Sequence, residues 1–194
     1  MTNRSPSPRL SPDQRREQIE AVAARHFERD GVAGASMSAI ARDAGVTRPL
    51  VYHYFPGKQS LLEAVLQREA DRLLVATAPD ETRSPQENIE RALRAYFAHF
   101  AESSGGIREL YAADEAGSPE VTRIAAANHV VQVDRLIAAT GAPDTPERRL
   151  SFGAWLAFVE FAARHAADAG VGTEQALEAC MSAWRSVLES STAP

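Results

Sequence analysis

The sequence has one cysteine and lacks a long apolar run. Cys180 has no second cysteine with which to form an internal disulfide, which agrees with a reducing cytoplasm. A membrane-spanning helix needs about 18 consecutive apolar residues, and no such stretch occurs. Residues 1–10 contain arginines but no apolar segment, so we expect no secretory signal. These absences predict a cytoplasmic protein that does not contact the membrane.

Basic residues are also scarce in most of the chain. The 194 residues carry a net charge of −5, with 44% hydrophobic and 24% charged residues, a composition typical of globular proteins. Residues 1–75 contain 11 Lys and Arg against 9 Asp and Glu, whereas residues 76–194 contain 10 against 17. This asymmetry is modest, and its sign is the one expected if the N-terminal part faces a polyanion and the acidic remainder faces away from it.

Signatures of catalysis are absent as well. No Gly-rich phosphate loop, Ser-centred elbow or Cys–His pattern occurs. His99, His129 and His165 fall on different predicted helices, and none has a second metal-ligating residue at helical spacing. We therefore expect no enzymatic activity, no metal and no cofactor. An enzyme built on a helical bundle is kept as an alternative, which a bound metal or a turned-over ligand in purified protein would reveal.

Residues 36–62 predict two short helices joined by a tight turn, followed by the start of a third. Gly45 can take the positive φ that ends the first helix, and Thr47 can cap the second, which Pro56 ends. Apolar residues recur at helical spacing in the first helix: Met37, Ile40, Ala41 and Ala44. This arrangement is a helix-turn-helix unit.

The second of these helices has two different sides. About seven residues are too few for a helix that is stable alone in water, so it must be anchored from behind. Val51 and Phe55, four residues apart, provide that anchor. The other side carries Pro49 and hydrogen-bonding rings at Tyr52 and His53. These rings indicate a helix that enters a DNA major groove; the alternative is that they cover hydrophobic core.

The succession of residues in this region resembles the signature of the TetR family of bacterial transcriptional regulators. The family pattern runs Ile-Ala, Ala-Gly-Val, an aromatic cluster and Lys-x-x-Leu. The matching residues are Ile40-Ala41, Ala44-Gly45-Val46, Tyr52-His53-Tyr54-Phe55, Lys58 and Leu61. The resemblance covers roughly residues 12–75 and implies a homodimer that binds a double-stranded DNA operator and responds to a small-molecule effector.

The predicted fold is all-α, with about nine helices and no convincing strand. It consists of a flexible arm (residues 1–11), a three-helix helix-turn-helix domain (12–57) and a helical bundle for effector binding and dimerisation (58–194). One short helix is predicted at 107–115. The predicted DNA-binding residues are Ser36, Thr47, Arg48, Pro49, Leu50, Tyr52, His53, Tyr54 and Lys58. Within this set the base-proximal residues are Thr47, Arg48, Tyr52 and His53, and the phosphate contacts are Ser36, Tyr54 and Lys58.

Aromatic and histidine side chains on the apolar faces of the second part suggest an effector site. A mostly apolar cavity with a few polar groups is the usual composition of such a site. The predicted effector-binding residues are Tyr96, Phe100, Tyr111, His129, Phe152 and Trp155. The alternative for each of them is a place in the core.

The last two helices suggest how two chains pair. Residues 150–163 are apolar nearly all round, and the final helix has a Leu, Met and Trp stripe with little chain after it to cover it. Pairing of these helices from two chains into a four-helix bundle would bury both. The predicted interface residues are Gly153, Ala157, Met181, Trp184 and Leu188. Burial against the chain's own middle helices is the alternative.

Taken together, these features predict a DNA-binding repressor that a small molecule releases from a palindromic operator. The alternative from a different class is a helical sensor or carrier without specific DNA binding. A mobility-shift assay against the upstream region of its own gene distinguishes the two.

Overall fold

The regular secondary structure of the chain is helical throughout the part that the computed structural model describes, residues 10–102 and 119–190. The first nine residues and the predicted helix at 107–115 lie outside these ranges. Eight helices occur within them: α1 (Pro12–Gly34), α2 (Met37–Asp43), α3 (Arg48–Tyr54), α4 (Lys58–Ala76), α5 (Pro85–Glu102), α6 (Pro119–Thr140), α7 (Pro146–His165) and α8 (Thr173–Ser190). The all-α prediction is confirmed.

The chain forms two compact units, which divide between Val65 and Leu66. The first unit holds α1 to α3 and the beginning of α4. The second holds the rest of α4 and all later helices. The predicted domain boundary at residue 58 coincides with the start of α4, whereas the division by packing falls inside this helix.

In the first unit, α1 begins at a capping box formed by Ser11 and Gln14. The Ser11 hydroxyl accepts from the Gln14 N–H at 3.2 Å, and the Gln14 side chain accepts from the Ser11 N–H at 2.9 Å. Gly31 interrupts the helix with φ of 66° and ψ of 170°, a conformation that glycine adopts readily. The last turn after it leads into α2.

A buried histidine ties α1 to α2. His26 is 3% exposed. Arg29 Nη2 donates to His26 Nδ1 at 3.0 Å, so His26 Nε2 donates to Asp43 Oδ2 at 2.9 Å. Hydrogen bonds from Arg42 and His26 hold the pKa of Asp43 below its usual value. His26 therefore fixes the helix that precedes α3.

The turn between α2 and α3 uses the residues that the sequence singles out. Gly45 has φ of 64°, and the Val46 N–H donates to the Ala41 carbonyl at 3.0 Å, which closes the end of α2. The Thr47 hydroxyl accepts from the Leu50 N–H at 3.4 Å and caps α3. The direction of α3 is thus set by local contacts at its start.

The core of the second unit lies where α5, α6, α7 and α8 meet. Phe152 and Trp155 of α7 pack against Trp184 of α8, with ring centroids 5.1 and 4.6 Å apart. Trp155 Nε1 donates to the Cys180 carbonyl at 2.9 Å, which satisfies the one polar atom of that ring. Burial raises the pKa of the Cys180 thiol to about 11, so it stays protonated at neutral pH.

Among the helices of residues 10–102 and 119–190, none is both long and apolar enough to cross a membrane.

Candidate nucleic-acid interface and ligand pockets

The back of α3 is anchored as predicted. Val51 is 0% and Phe55 1% exposed. The Arg16 guanidinium of α1 lies 5.0 Å from the centre of the Phe55 ring, a distance at which a cation is attracted to the ring face. A seven-residue helix is held in place by these tertiary contacts, since its own hydrogen bonds are too few.

The front of α3 is open to solvent and polar. Thr47, Arg48, Pro49, Tyr52 and His53 are exposed. The alternative that the rings of Tyr52 and His53 cover hydrophobic core therefore does not describe this structure. The two other residues of α3 that are predicted to bind DNA, Leu50 and Tyr54, are half-buried.

Arg48 and Tyr52 form a stacked pair on the front of α3. The Arg48 guanidinium carbon lies 5.4 Å from the centre of the Tyr52 ring, and Nη2 is 3.4 Å from the Tyr52 hydroxyl. Spacing of one helical turn brings the two side chains together. The tyrosine thereby holds the guanidinium on the exposed side, where its fork can meet the O6 and N7 acceptors of guanine.

Two of the predicted phosphate contacts, Ser36 and Lys58, lie before and after α3 in the sequence. Ser36 precedes α2, is exposed, and its hydroxyl makes no capping bond. Lys58 Nζ donates to the carbonyls of Val32 and Ala33 at 2.9 and 3.0 Å. This internal role was not predicted; it closes the last turn of α1. An ammonium has a further N–H donor, so the phosphate contact of Lys58 remains a prediction.

Two neighbouring pockets open among the helices of the second unit. The wall of the first includes Tyr96 and Trp155, and the wall of the second includes Tyr96, Phe100 and His129. They share three wall residues: Tyr96, Gln132 and Leu156. Four of the predicted effector residues therefore line a cavity.

The other two predicted effector residues have different places. Tyr111 lies outside the described residues. Phe152 is 0% exposed and lines neither pocket, because its ring is turned toward Trp184 in the core. Phe152 therefore belongs to the core, the alternative that the sequence left open.

The polar end of the first pocket was missed by the sequence analysis. Gln132 Nε2 donates to the Thr77 hydroxyl at 2.8 Å. Arg135 Nη1 donates to the Leu74 carbonyl at 2.8 Å and to the Thr77 hydroxyl at 3.2 Å. Gln132 and Arg135 are one helical turn apart on α6, but this spacing alone describes many solvent-facing pairs. Only the meeting of α4 and α6 places them at a cavity.

Four of the five predicted dimer residues also have packing contacts within the chain itself. Trp184 is 3% exposed and packs on the chain's own α7. Met181 and Leu188 are half-buried against the same core. A Cβ on Gly153 would lie 3.0 Å from His129 Nε2, so this glycine serves close packing of α6 and α7 within one chain. The stripe of α8 is covered mainly by the chain itself.

Ala157 belongs to an exposed apolar stripe that the sequence analysis described only in part. Leu150, Phe158 and Phe161 of α7 are 75%, 41% and 60% exposed. With Ala154 and Ala157, also exposed, they recur at helical spacing along one face of α7. An apolar face of this extent on a described helix is typical of a protein–protein contact.

The sequence is similar to a family model and to known transcriptional regulators. Residues 19–65 match the family model described as "Bacterial regulatory proteins, tetR family". A 115-residue segment is 35% identical to the HTH-type transcriptional activator FasR of Mycolicibacterium smegmatis, covering 58% of this chain and 52% of that protein. A 147-residue segment is 31% identical to the HTH-type transcriptional regulator EthR of the same species, covering 73% and 64%. The chain thus spans between about half and two thirds of these relatives.

A solved structure matches over nearly the full length. A tetR-family transcriptional regulator from Streptomyces coelicolor superposes with a TM-score of 0.83 and 26% identity, covering 94% of this chain and 83% of that one. The match includes the helices of the second unit, for which the sequence carries no family motif. Residues 19–65 thus carry the N-terminal domain of the TetR family of bacterial regulatory proteins, and the chain has the fold of a tetR-family regulator over nearly its full length.

Proposed function

We propose that the chain is a DNA-binding transcriptional regulator that inserts α3 into the major groove. The observation that carries this proposal is the two-sided character of α3: Val51 and Phe55 are buried behind it, while Arg48, Tyr52 and His53 are exposed in front. Arg48 would contact a guanine edge, and Ser36, Tyr54 and Lys58 would contact phosphates. Base contacts supply sequence preference, and phosphate contacts supply register and salt-dependent affinity.

Dimer formation is part of this proposal. The stripe of Leu150, Ala154, Ala157, Phe158 and Phe161 on α7 would pair with the same stripe of a second copy around a two-fold axis. Two copies of α3 would then read two half-sites of a near-palindromic operator. Half-sites of such operators are typically about one helical turn, or a multiple of it, apart.

The pockets of the second unit would bind the effector. The first pocket is lined by Thr77, which directly follows α4, and α4 begins in the first unit. A ligand that favours one arrangement of the end of α4 would shift the population of the DNA-binding form. Release from DNA relieves repression where the operator overlaps a promoter.

We assign the first pocket to binding rather than to catalysis. Three of its polar side chains, those of Thr77, Gln132 and Arg135, hydrogen-bond one another or the carbonyls of α4. Such contacts orient a ligand but supply no nucleophile with an adjacent base. A regulator of this kind would work in the cytoplasm, where the buried Cys180 thiol stays reduced.

A mobility-shift titration tests the proposal. Purified chain is added to a labelled duplex from the region upstream of its own gene, with an unrelated duplex of equal length and heparin as competitors. We expect a specific complex that survives excess unrelated duplex, since specific sites are typically about 10³-fold or more tighter than non-specific ones. Equal competition by both duplexes would contradict sequence-specific binding.

A further inference from the structure

We infer that the first pocket of the second unit takes an apolar molecule bearing one carboxylate, with Arg135 as the partner of that carboxylate. The inference rests on the proposed function in one respect, that this pocket is the effector site. It adds the chemical class of the ligand and the residue that selects it.

The main observation is a cation without a counter-charge. Arg135 Nη1 donates to two neutral oxygens, those of Leu74 and Thr77. Nη2 and Nε of Arg135 have no acceptor among residues 10–102 and 119–190. No Asp or Glu of that part of the chain lines the first pocket. The neighbouring carboxylate of Asp134 is instead paired with Arg149 at 2.9 Å.

The rest of the pocket is apolar. Its wall consists mainly of aliphatic and aromatic side chains from α5, α6 and α7: Ile89, Leu93, Leu136, Trp155, Leu156 and Val159. The body of the ligand is therefore a hydrocarbon or ring system, with its polar group at the Arg135 end.

Electrostatics favour an anion at this position. Burial lowers the pKa of the Arg135 guanidinium, which shows that the charged form lacks full solvation there. A carboxylate would supply a charge-assisted, potentially bidentate contact. A hydroxyl would supply only a neutral hydrogen bond, and an ammonium would be repelled.

The second pocket differs in charge. Its wall includes Glu160, whose carboxylate lies 3.3 Å from the Arg164 guanidinium. That charge pair is already balanced, and a ligand carboxylate would approach Glu160 there. We therefore assign the expected preference for a carboxylate head group to Arg135 and the first pocket.

A matched ligand series tests the inference with the full chain and no DNA. Decanoate, decanol and decylammonium share one alkyl chain and differ in the charge of the head group. Calorimetric titration of the wild-type protein should show decanoate binding at least roughly tenfold tighter than either of the others. Because DNA is absent from the assay, its result is independent of whether the chain binds an operator.

Variants of Arg135 test whether this residue causes the preference for decanoate. Arg135→Gln should lower decanoate affinity roughly tenfold and leave decanol affinity within about twofold, whereas Arg135→Lys should keep much of the preference for decanoate. Arg185→Gln is the matched control, because Arg185 is an exposed charged residue of the same unit that lines neither pocket. It should bind all three compounds like the wild type. Circular dichroism checks that each variant is folded.

Three results would overturn the inference: equal affinity of the wild type for decanoate and decanol, an unchanged preference for decanoate in folded Arg135→Gln, or no saturable decanoate binding below about 1 mM. If Arg135→Gln fails to fold, the comparison of head groups on wild type and Arg135→Lys decides. Loss of the preference in Arg135→Lys would then count against it, since the lysine keeps the positive charge.

Discussion

The exposed faces of α3 and α7 differ in the chemistry that they offer to a partner. α3 presents a guanidinium, a phenol and an imidazole, whereas α7 presents Leu150, Phe158 and Phe161. Hydrogen-bonding rings and a cation gain from a partner with acceptors and negative charge, such as the edge of a DNA groove. Apolar rings gain from removal from water and therefore from a second protein surface.

The comparison shows that exposure alone does not identify a site. Both faces are open to solvent, and both belong to helices whose opposite sides are buried. What separates them is the kind of group left exposed and the way in which it is held. On α3 the exposed Arg48 is positioned by Tyr52, while on α7 the exposed side chains of Leu150, Phe158 and Phe161 are apolar.

The largest expected effect comes from the back of α3. Phe55→Ala removes a ring that is 1% exposed and should cost roughly 3–5 kcal/mol of stability. The first unit would lose its structure and DNA binding with it. Urea unfolding followed by circular dichroism measures the loss. Tyr52→Ala is the matched control at the front of the same helix; it should weaken DNA binding with less than about 1 kcal/mol of lost stability. If Phe55→Ala and Tyr52→Ala lose similar amounts of stability, the proposed difference between the buried and exposed sides of α3 is wrong.

The apolar stripe of α7 gives the largest expected effect on association between chains. Phe161→Glu places a charge at a position that is 60% exposed in the single chain and buried in the proposed dimer. We expect the dimer to weaken by roughly 100-fold, about 3 kcal/mol, as measured by sedimentation equilibrium. Val75→Glu makes the same change at an exposed valine of α4 and should leave association unchanged. An unaltered dimer in Phe161→Glu would place the interface elsewhere.

A variant of Trp184 tests whether this residue of α8 stabilises the core of one chain or the contact between two chains. Because it packs on Phe152 and Trp155 within one chain, Trp184→Ala should lower the stability of the second unit by about 3–5 kcal/mol. A folded variant with full stability and impaired dimerisation would instead return Trp184 to the interface that the sequence suggested. Thermal unfolding and sedimentation, measured on the same preparation, distinguish the two outcomes.

Arg48 carries the expected sequence preference. Arg48→Ala should cost roughly 1–3 kcal/mol of operator binding and relax the preference at one base pair. Fluorescence anisotropy against a set of single-base operator variants measures both quantities. If the variant binds all of these sequences equally more weakly, Arg48 is a phosphate contact.

Lys58 gives the smallest effect on binding. Lys58→Ala should reduce the slope of log affinity against log salt by about one. It should also release the carbonyls of Val32 and Ala33, so its stability is measured alongside. An unchanged slope with reduced stability would show that the lysine serves only to close α1.

The sequence predicted α3 well because each of its determinants is local. Gly45 and Thr47 set the turn and the cap, and a spacing of four residues places Val51 and Phe55 on one side. The same reasoning did not indicate that Trp184 packs on α7 of its own chain. Helical period indicates that a face is buried, but it does not indicate which surface covers it. The pocket was predicted only in part for a related reason: Arg135 becomes a pocket residue through the packing of α6 on the end of α4, which local periodicity does not contain.

Selection from a pool of random duplexes tests the central claim most directly, that the exposed edge of α3 reads base pairs. The chain is incubated with the pool at moderate salt, bound duplexes are amplified over several rounds, and the products are sequenced. We expect enrichment of two inverted half-sites, and a matched selection with Arg48→Ala should lose preference at one position in each. A pool that remains random in sequence after enrichment for binding would contradict the claim.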